Sequence, residues 1–203
     1  MIEFVIGSSL AAAAGLNAWM PLFLLGIADR LLPAIELPNG WSWLSSDLAL
    51  WVLGALLVLE IIADKIPALD SVNDVIQSIL RPAAGGIAFG AGASAQTLAL
   101  DDAESFFANG SWIPIVTGIV IALVVHVVKA TARVAANATT AGLAAPVLST
   151  VEDGASFLLA SAAILVPLVA GILLIGLVIV VIAAVRWRQR RRTSNQPTDG
   201  VQT

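Results

Sequence analysis

Long runs of apolar residues constrain the fold of this chain more than any other feature. A helix that crosses a bilayer needs about 20 mostly apolar residues. Six segments reach that length, at roughly 3–28, 47–66, 83–100, 112–136, 144–165 and 168–187. Charged residues make up only 12% of the 203, and mean hydropathy is +0.94, whereas soluble domains carry about 25% charged residues. The sequence therefore predicts an all-α, polytopic helical membrane protein with about six transmembrane helices.

Two prolines subdivide these apolar runs. Pro21, in "GLNAWMP", predicts a kink near the middle of the first span, since proline removes a backbone donor and crowds the preceding turn. Pro167 splits the run 144–187, which as one helix would be about 65 Å long. A tight hairpin at Pro167 is the better interpretation. The N-terminus lacks the basic region of a signal peptide, because Glu3 is its first charge, so we interpret it as a retained span.

The basic residues are confined to one set of predicted loops. With six spans and both termini in the cytoplasm, nine of the ten Lys and Arg residues are internal and only Arg30 is external. This bias follows the positive-inside rule, and five of the six tryptophans lie at predicted interfaces. We therefore expect a membrane domain over 1–188, cytoplasmic termini and a disordered tail over 189–203.

The stretch "LEIIADKIPALDSVNDVIQSILRP", residues 59–82, carries six charges. Pro67 predicts the end of the second span, and Asp70 is predicted to cap a short amphipathic helix over 71–80 that lies flat on the inner surface. Pro82 then starts the third span. Lys65 and Arg81 are interpreted as charges that set topology.

Glu60 and Asp64 do not fit the membrane edge so simply. They are four residues apart on one face of the second span, and an ionised carboxylate there is costly unless it is paired or hydrated. Two interpretations stay open for these carboxylates, a ligand or ion path and a structural ion pair.

A second polar set follows the fourth span. His126, Lys129 and Arg133 form one stripe of a helix, and Ser149, Glu152 and Asp153 lie near the inner end of the fifth span. These groups converge with Glu60 on the inner side, either as a buried ion-pair network or as a polar vestibule open to the cytoplasm. The candidate vestibule residues are Asn17, Glu60, Asp64, His126, Lys129, Arg133, Glu152 and Asp153.

Four segments also carry a family resemblance: "GLNAWMPL", "LEIIADKIPALD", "ILRPAAGG" and "NATTAGLAAPVLSTVED". In this order and spacing the chain resembles the bacterial membrane proteins grouped as domain of unknown function 4126, over nearly its whole length apart from the tail. The most specific motifs run from Ala63 to Asp70 and from Thr139 to Asp153. The resemblance implies a multi-pass protein of the bacterial inner membrane and no established activity.

Three functional classes are open to such a chain. We expect a small transporter or channel-like protein for an ion or polar solute. Six spans leave open an arrangement as two inverted halves of three, for which the internal similarity is slight. The alternative is a non-catalytic scaffold or lipid-interacting subunit of a complex or homo-oligomer. An intramembrane hydrolase built on His126, Ser149 and Asp153, or on two facing carboxylates such as Asp64 and Asp153, is a weaker hypothesis, and we expect no enzyme.

The composition also limits cofactors and partners. The chain has no cysteine and one histidine, so thiolate zinc sites and histidine-rich metal sites are excluded. No dinucleotide, phosphate-loop or nucleic-acid motif occurs. We therefore expect membrane lipids as partners, no nucleic acid and no cofactor.

Overall fold

A computed structural model describes residues 1–93, 110 and 112–194, and the regular secondary structure among them is entirely helical. The helices are α1 (Ile2–Leu16), α2 (Met20–Leu31), α3 (Asp47–Ala63), α4 (Pro67–Ala93), α5 (Trp112–Thr140), α6 (Ala145–Leu165) and α7 (Pro167–Ser194). A short 3₁₀ turn, Ser42–Ser45, precedes α3. The prediction of an all-α fold is confirmed.

The predicted first span is two helices with a break at residues 17–19. The backbone N–H of Asn17 closes α1 on the Ala13 carbonyl at 2.9 Å. Its side-chain Oδ1 then accepts from the backbone N–H groups of Trp19 and Met20, at 3.2 and 3.0 Å. Asparagine favours such local bonds over a continued helix. Pro21, in the first turn of α2, needs no helical donor there.

The two helices form a hairpin, so residues 3–28 do not make a single crossing. On α1, Gly7 lies against Phe89 near the end of α4. Trp41, which follows α2, lies against Gly90 in the same turn of α4. α2 runs antiparallel to α3, as contacts near its two ends show: Arg30 with Asp47, and Ala18 with Glu60. The start of α1 and the 32–46 loop therefore share one end of the bundle, which we call the entry end, and the hairpin tip points away from it.

The remaining helices alternate in direction between the entry end and the opposite, basic end. α4 and α5 are antiparallel, since Gly85 meets Ala122 and Gly90 meets Ile115. α6 runs from the basic end toward the entry end, and α7 turns back after Val166, which places Gly171 against Val5. The two ends of the described chain thus lie at opposite ends of the bundle. That arrangement does not fit our expectation that both termini share one side.

Within the part of the chain that the structure describes, two helices are long and apolar enough to cross a membrane by length and composition, Trp112–Thr140 and Ala145–Leu165. Six transmembrane helices are not confirmed, nor is an inverted repeat. The first half begins with a broken helical hairpin, whereas α5, at the start of the second half, is one unbroken helix of 29 residues. The first elements of the two halves, the α1–α2 hairpin and α5, therefore differ in structure.

α4 differs from the sequence prediction at both of its expected boundaries. It is one helix of 27 residues that contains the predicted surface helix 71–80 and has Pro82 in its interior. Asp70 is therefore not an N-cap, because α4 begins at Pro67; residues 94–100 of the predicted third span lie outside the described part of the chain. Proline is tolerated inside a membrane-type helix where neighbouring polar groups can satisfy the freed carbonyl.

α7 also extends further than expected. Its backbone is helical to Ser194, so residues 189–194, predicted as part of a disordered tail, continue the helix. Residues 195–203 of that tail lie outside the described residues. The basic run after Val185 is thus carried on a helix at the basic end.

Candidate functional site: a charge cluster at the hairpin tip

Charged and polar side chains from four helices surround the hairpin tip. We call them the charge cluster: Glu60, Asp64, Lys65, Asp74, Arg81, His126, Lys129, Arg133, Glu152 and Asp153. Its centre is closed to solvent, with Arg81 and Asp64 each 0% exposed, Arg133 1% and Glu60 2%. Asn17 at the tip is also fully buried. The site is therefore a buried ionic centre inside an apolar bundle.

Two cluster residues bind the backbone groups that the helix break leaves open. Lys129 Nζ donates to the Leu16 carbonyl at 2.6 Å. Glu60 Oε2 accepts from the Ala18 backbone N–H at 3.1 Å. The cation thus lies at the C-terminal end of α1 and the carboxylate at the N-terminal side of α2, and both signs complement the helix dipoles. The hairpin tip is held in place by charged groups of α3 and α5.

Arg81 and Asp64 join these two contacts into one network. Arg81 Nη2 lies 2.8 Å from Glu60 Oε1 and 3.6 Å from Asp64 Oδ2. Asp64 Oδ2 is also 3.3 Å from Lys129 Nζ and 3.4 Å from Arg133 Nη2. Its other oxygen, Oδ1, accepts from Asn73 Nδ2 at 2.6 Å. One carboxylate therefore meets three cations, an arrangement that offsets part of the desolvation cost of each.

The single histidine is part of the network. His126 Nδ1 lies 3.0 Å from Arg81 Nη1, and Nε2 lies 3.1 Å from Ser78 Oγ. Because arginine can only donate, Nδ1 must accept, which leaves the ring proton on Nε2. The ring is then neutral and donates to Ser78 Oγ, which itself donates to the Asp74 carbonyl at 2.8 Å.

Three side chains carry the cluster to the surface at the basic end: Glu152, Asp153 and Lys65. Glu152 pairs with Lys129 at 3.1 Å and also with Arg133. Asp153 accepts from Asn17 Nδ2 at 3.0 Å and pairs with Lys65 at 3.2 Å. The side chains of Asp153, Glu152 and Lys65 are 12%, 14% and 38% exposed. Exposure thus rises from the closed centre toward one face.

All eight predicted vestibule residues lie in this region, from Asn17 on α1 to Asp153 on α6. Arg81, which we had interpreted as a topology charge, lies fully buried at the centre, and Lys65 pairs at the rim. Sequence reasoning missed Asn73 and Ser78 because it placed the polar face of residues 71–80 in water. Of that face, Asn73 and Asp74 are instead half-buried and Gln77 is buried, while the apolar Val75, Ile76 and Ile79 are exposed.

The hydrolase hypotheses find no matching geometry. Both ring nitrogens of His126 are engaged by Ser78 and Arg81. Ser149 Oγ lies 3.5 Å from Asp153 instead, so the three residues do not form a nucleophile–base–acid series. Asp64 and Asp153 bind different partners, Asp64 the cations of α4 and α5 and Asp153 Lys65 and Asn17.

The formal charge of the cluster suggests what it can attract. Five carboxylates face four cations of Lys and Arg, with a neutral His126, so the sum is −1. Such a site favours a proton or a small cation over an anion. Within the described ranges, no three His, Asp or Glu side chains are placed to hold a metal ion.

The hairpin tip "GLNAWMPL" and the cluster segments "LEIIADKIPALD" and "STVED" are also the segments that carried the family resemblance. A comparison with known families matches residues 4–187 to the family described as "Domain of unknown function (DUF4126)". The chain belongs to this family. No curated protein and no solved structure matches this chain. The predicted DUF4126 membership is thus confirmed over nearly all of the described chain, and the family description names no activity.

Proposed function

We propose that this DUF4126 chain is an integral protein of the bacterial cytoplasmic membrane that transports a small cation, a proton or a small polar solute through the charge cluster. The observation that carries the proposal is the hairpin tip, whose open backbone carbonyl and amide are bound by the charged side chains of Lys129 and Glu60. Intramembrane ionisable residues and broken helices mark ion and substrate sites in membrane proteins.

The distribution of side chains supports a membrane location. Charged groups are buried at the centre, while large apolar side chains on α5, α6 and α7 face outward, for example Val120, Leu158 and Ile175 at 53%, 60% and 62% exposed. A water-soluble protein shows the reverse arrangement. In lipid, both the exposure of the apolar side chains and the burial of the charged ones are favourable.

Orientation follows from the basic residues. In the proposed arrangement α3 to α7 cross the membrane, and the α1–α2 hairpin enters and returns on the outer side. Nine of ten Lys and Arg residues then lie toward the cytoplasm and Arg30 outside, as in the six-span prediction. The hairpin changes only the side of the N-terminus, which moves outside. Non-helical backbone at membrane depth is tolerated where protein covers it, and Asn17 and Ala18 are 0% exposed.

Transport requires that the closed centre can open, and the network has a feature that permits it. The contacts of Lys129 and Glu60 with the tip are hydrogen bonds to backbone groups, which a cation or polar solute can replace in kind. The rim residues Lys65 and Glu152 already reach the basic-end surface. A solute arriving from the cytoplasm would exchange with Asp153 and Glu152 first and with Asp64 and Glu60 last.

Flux through reconstituted protein tests the proposal. Vesicles with an internal pH-sensitive dye and an imposed K⁺ or Na⁺ gradient report proton and cation movement. Wild type should show flux above protein-free vesicles, and Glu60→Gln and Arg133→Ala should each lower it at least tenfold. Glu36→Gln removes an exposed carboxylate in the loop at the other end and should leave flux unchanged. Equal leak in all four proteins and in empty vesicles would exclude cation and proton transport.

A second candidate, a non-catalytic membrane scaffold or subunit of a complex, rests on a different observation. Each charged side chain at the buried centre has an opposite charge within 4 Å: Glu60, Asp64, Arg81, Lys129 and Arg133. A closed network of paired charges is compatible with the rigid core of a scaffold as well as with the occluded state of a transporter. Absence of flux together with a stoichiometric partner that co-purifies in mild detergent would favour this candidate.

A further inference from the structure

We propose that the groove between α2 and α3 binds a phospholipid whose headgroup carries both a phosphate and a primary ammonium. This inference rests on the membrane location proposed above and is independent of transport. The groove has a volume of about 730 Å³ and lies on the outside of the hairpin, away from the charge cluster. Its apolar lining includes Phe23, Ile27, Leu50, Trp51 and Val58.

The length of the groove matches one leaflet. Its α3 wall runs from Asp47 to Leu59, which at 1.5 Å per residue is about 18 Å. Half of a 30 Å hydrocarbon core is about 15 Å. An acyl chain that starts at the entry end would therefore lie along the groove and end beside the level of the hairpin tip.

The floor of the groove is made by a close approach of the two helices. A Cβ atom at Gly54 would lie 3.2 Å from the Phe23 ring, so α2 and α3 nearly touch there. Beside that contact, the small side chain of Ala55 leaves a channel between larger side chains. A linear hydrocarbon chain fits such a channel, whereas a peptide would bury backbone polar groups against an apolar wall.

Among the described residues that line the groove, the charged ones are Arg30 and Asp47, which form an ion pair at its mouth. Their side chains are 49% and 78% exposed. An exposed pair of this kind contributes little to stability, so exchange of each partner for a lipid group costs little. Arg30 would bind the lipid phosphate, as guanidinium groups do, and Asp47 would accept from the ammonium.

Both charges are needed for this choice of ligand. A lipid with a phosphate alone would leave Asp47 beside a second negative charge once Arg30 had turned to the phosphate. A quaternary ammonium headgroup would satisfy the charge of Asp47 and donate no hydrogen bond. Trp51, 80% exposed on the groove wall one turn from the mouth, is placed to contact the glycerol region of the lipid.

Titration of the detergent-purified full chain with three dioleoyl lipids tests the inference. Brominated acyl chains of phosphatidylethanolamine, phosphatidylglycerol or phosphatidylcholine report binding through quenching of tryptophan fluorescence, with Trp51→Phe as the check that Trp51 is the residue quenched. Wild type should bind the ethanolamine lipid about fivefold to tenfold more tightly than the other two, as one additional hydrogen bond at a solvent-exposed position allows.

Variants separate the two headgroup contacts and the groove. Asp47→Asn should abolish the preference for ethanolamine and leave phosphatidylglycerol binding no weaker, whereas Arg30→Gln should weaken all three lipids. Ala55→Phe, at an exposed position in the groove, should block binding without adding a fluorophore that the assay would read, and Val178→Phe on exposed α7 is the matched control. Equal affinity for the three lipids, or unchanged binding in Ala55→Phe, would overturn the inference. A chain that stays soluble without detergent would instead refute the membrane location itself.

Discussion

Replacement of Arg81 by methionine isolates the energetic role of the buried cluster. The side chain is 0% exposed and binds Glu60 at 2.8 Å and Asp64 at 3.6 Å. Methionine has similar length and no charge, so it leaves two carboxylates buried with one fewer cation between them. Removal of one partner of a buried pair costs about 3–5 kcal/mol. Arg81→Met should therefore lower the free energy of unfolding by about that amount.

The companion change Glu60→Gln should cost less, about 1.5–3 kcal/mol. Its amide oxygen can still accept from the Ala18 N–H, and Arg81 keeps Asp64 as a partner. In the double variant the missing charges offset each other, so the combined loss should fall short of the sum by about 1–3 kcal/mol. The matched control is Arg30→Gln, whose pair with Asp47 is exposed and should be worth about 0–1 kcal/mol.

Unfolding by SDS in mixed micelles, followed by circular dichroism, measures these four differences on the full chain. A shortfall from additivity requires that Arg81 and Glu60 interact in the folded protein. If Arg81→Met costs no more than Arg30→Gln, and the two cluster changes are additive, the centre is hydrated or open, and the description of a closed ionic core is wrong.

Two further predictions test the helical hairpin and the helix packing. Because the chain has no cysteine, single-cysteine variants report the side of the membrane on which each position lies. Glu3→Cys and Asn39→Cys should react with an impermeant maleimide from one side of the membrane, and Thr140→Cys from the other. If Glu3→Cys reacts from the same side as Thr140→Cys, the six-span arrangement is correct instead. Gly118→Ala should destabilise by about 1–3 kcal/mol, since its Cβ would lie 2.5 Å from the Phe89 side chain. Gly176→Ala, with nothing within 4 Å, should be neutral or slightly stabilising, and equal thermal shifts for the two glycines would contradict the close α4–α5 packing.

Much of the site was readable in the chain because helical periodicity and hydropathy are local properties. Glu60 and Asp64 stand four apart within an apolar run, and His126, Lys129 and Arg133 repeat along one helical stripe, so their faces could be assigned without a fold. The break near Pro21 was equally visible, since proline and asparagine act on the backbone next to them.

The partners of those faces were decided by tertiary structure. Residues 71–80 follow the predicted helical period, yet Asn73, Asp74 and Gln77 lie toward the bundle and Val75, Ile76 and Ile79 are exposed, the reverse of a helix lying on a membrane surface. The periodicity predicts which residues share one face of a helix, but it does not predict whether that face contacts water, lipid or other helices. For this reason Arg81, predicted at the edge of the membrane, is found buried at the centre of the cluster.

The sequence by itself determined that this protein is helical, that its basic residues gather at one end, and where its first helix breaks. Only the tertiary structure decided that the chain reverses at that break, that α4 continues through Pro82, and that Glu60 and Lys129 bind the exposed backbone of the tip. The physical reason is that a helix break leaves a backbone carbonyl and a backbone N–H without helical partners but does not set the angle between the two helices. That angle depends on which charged side chains, distant in sequence, are close enough to bind the two backbone groups.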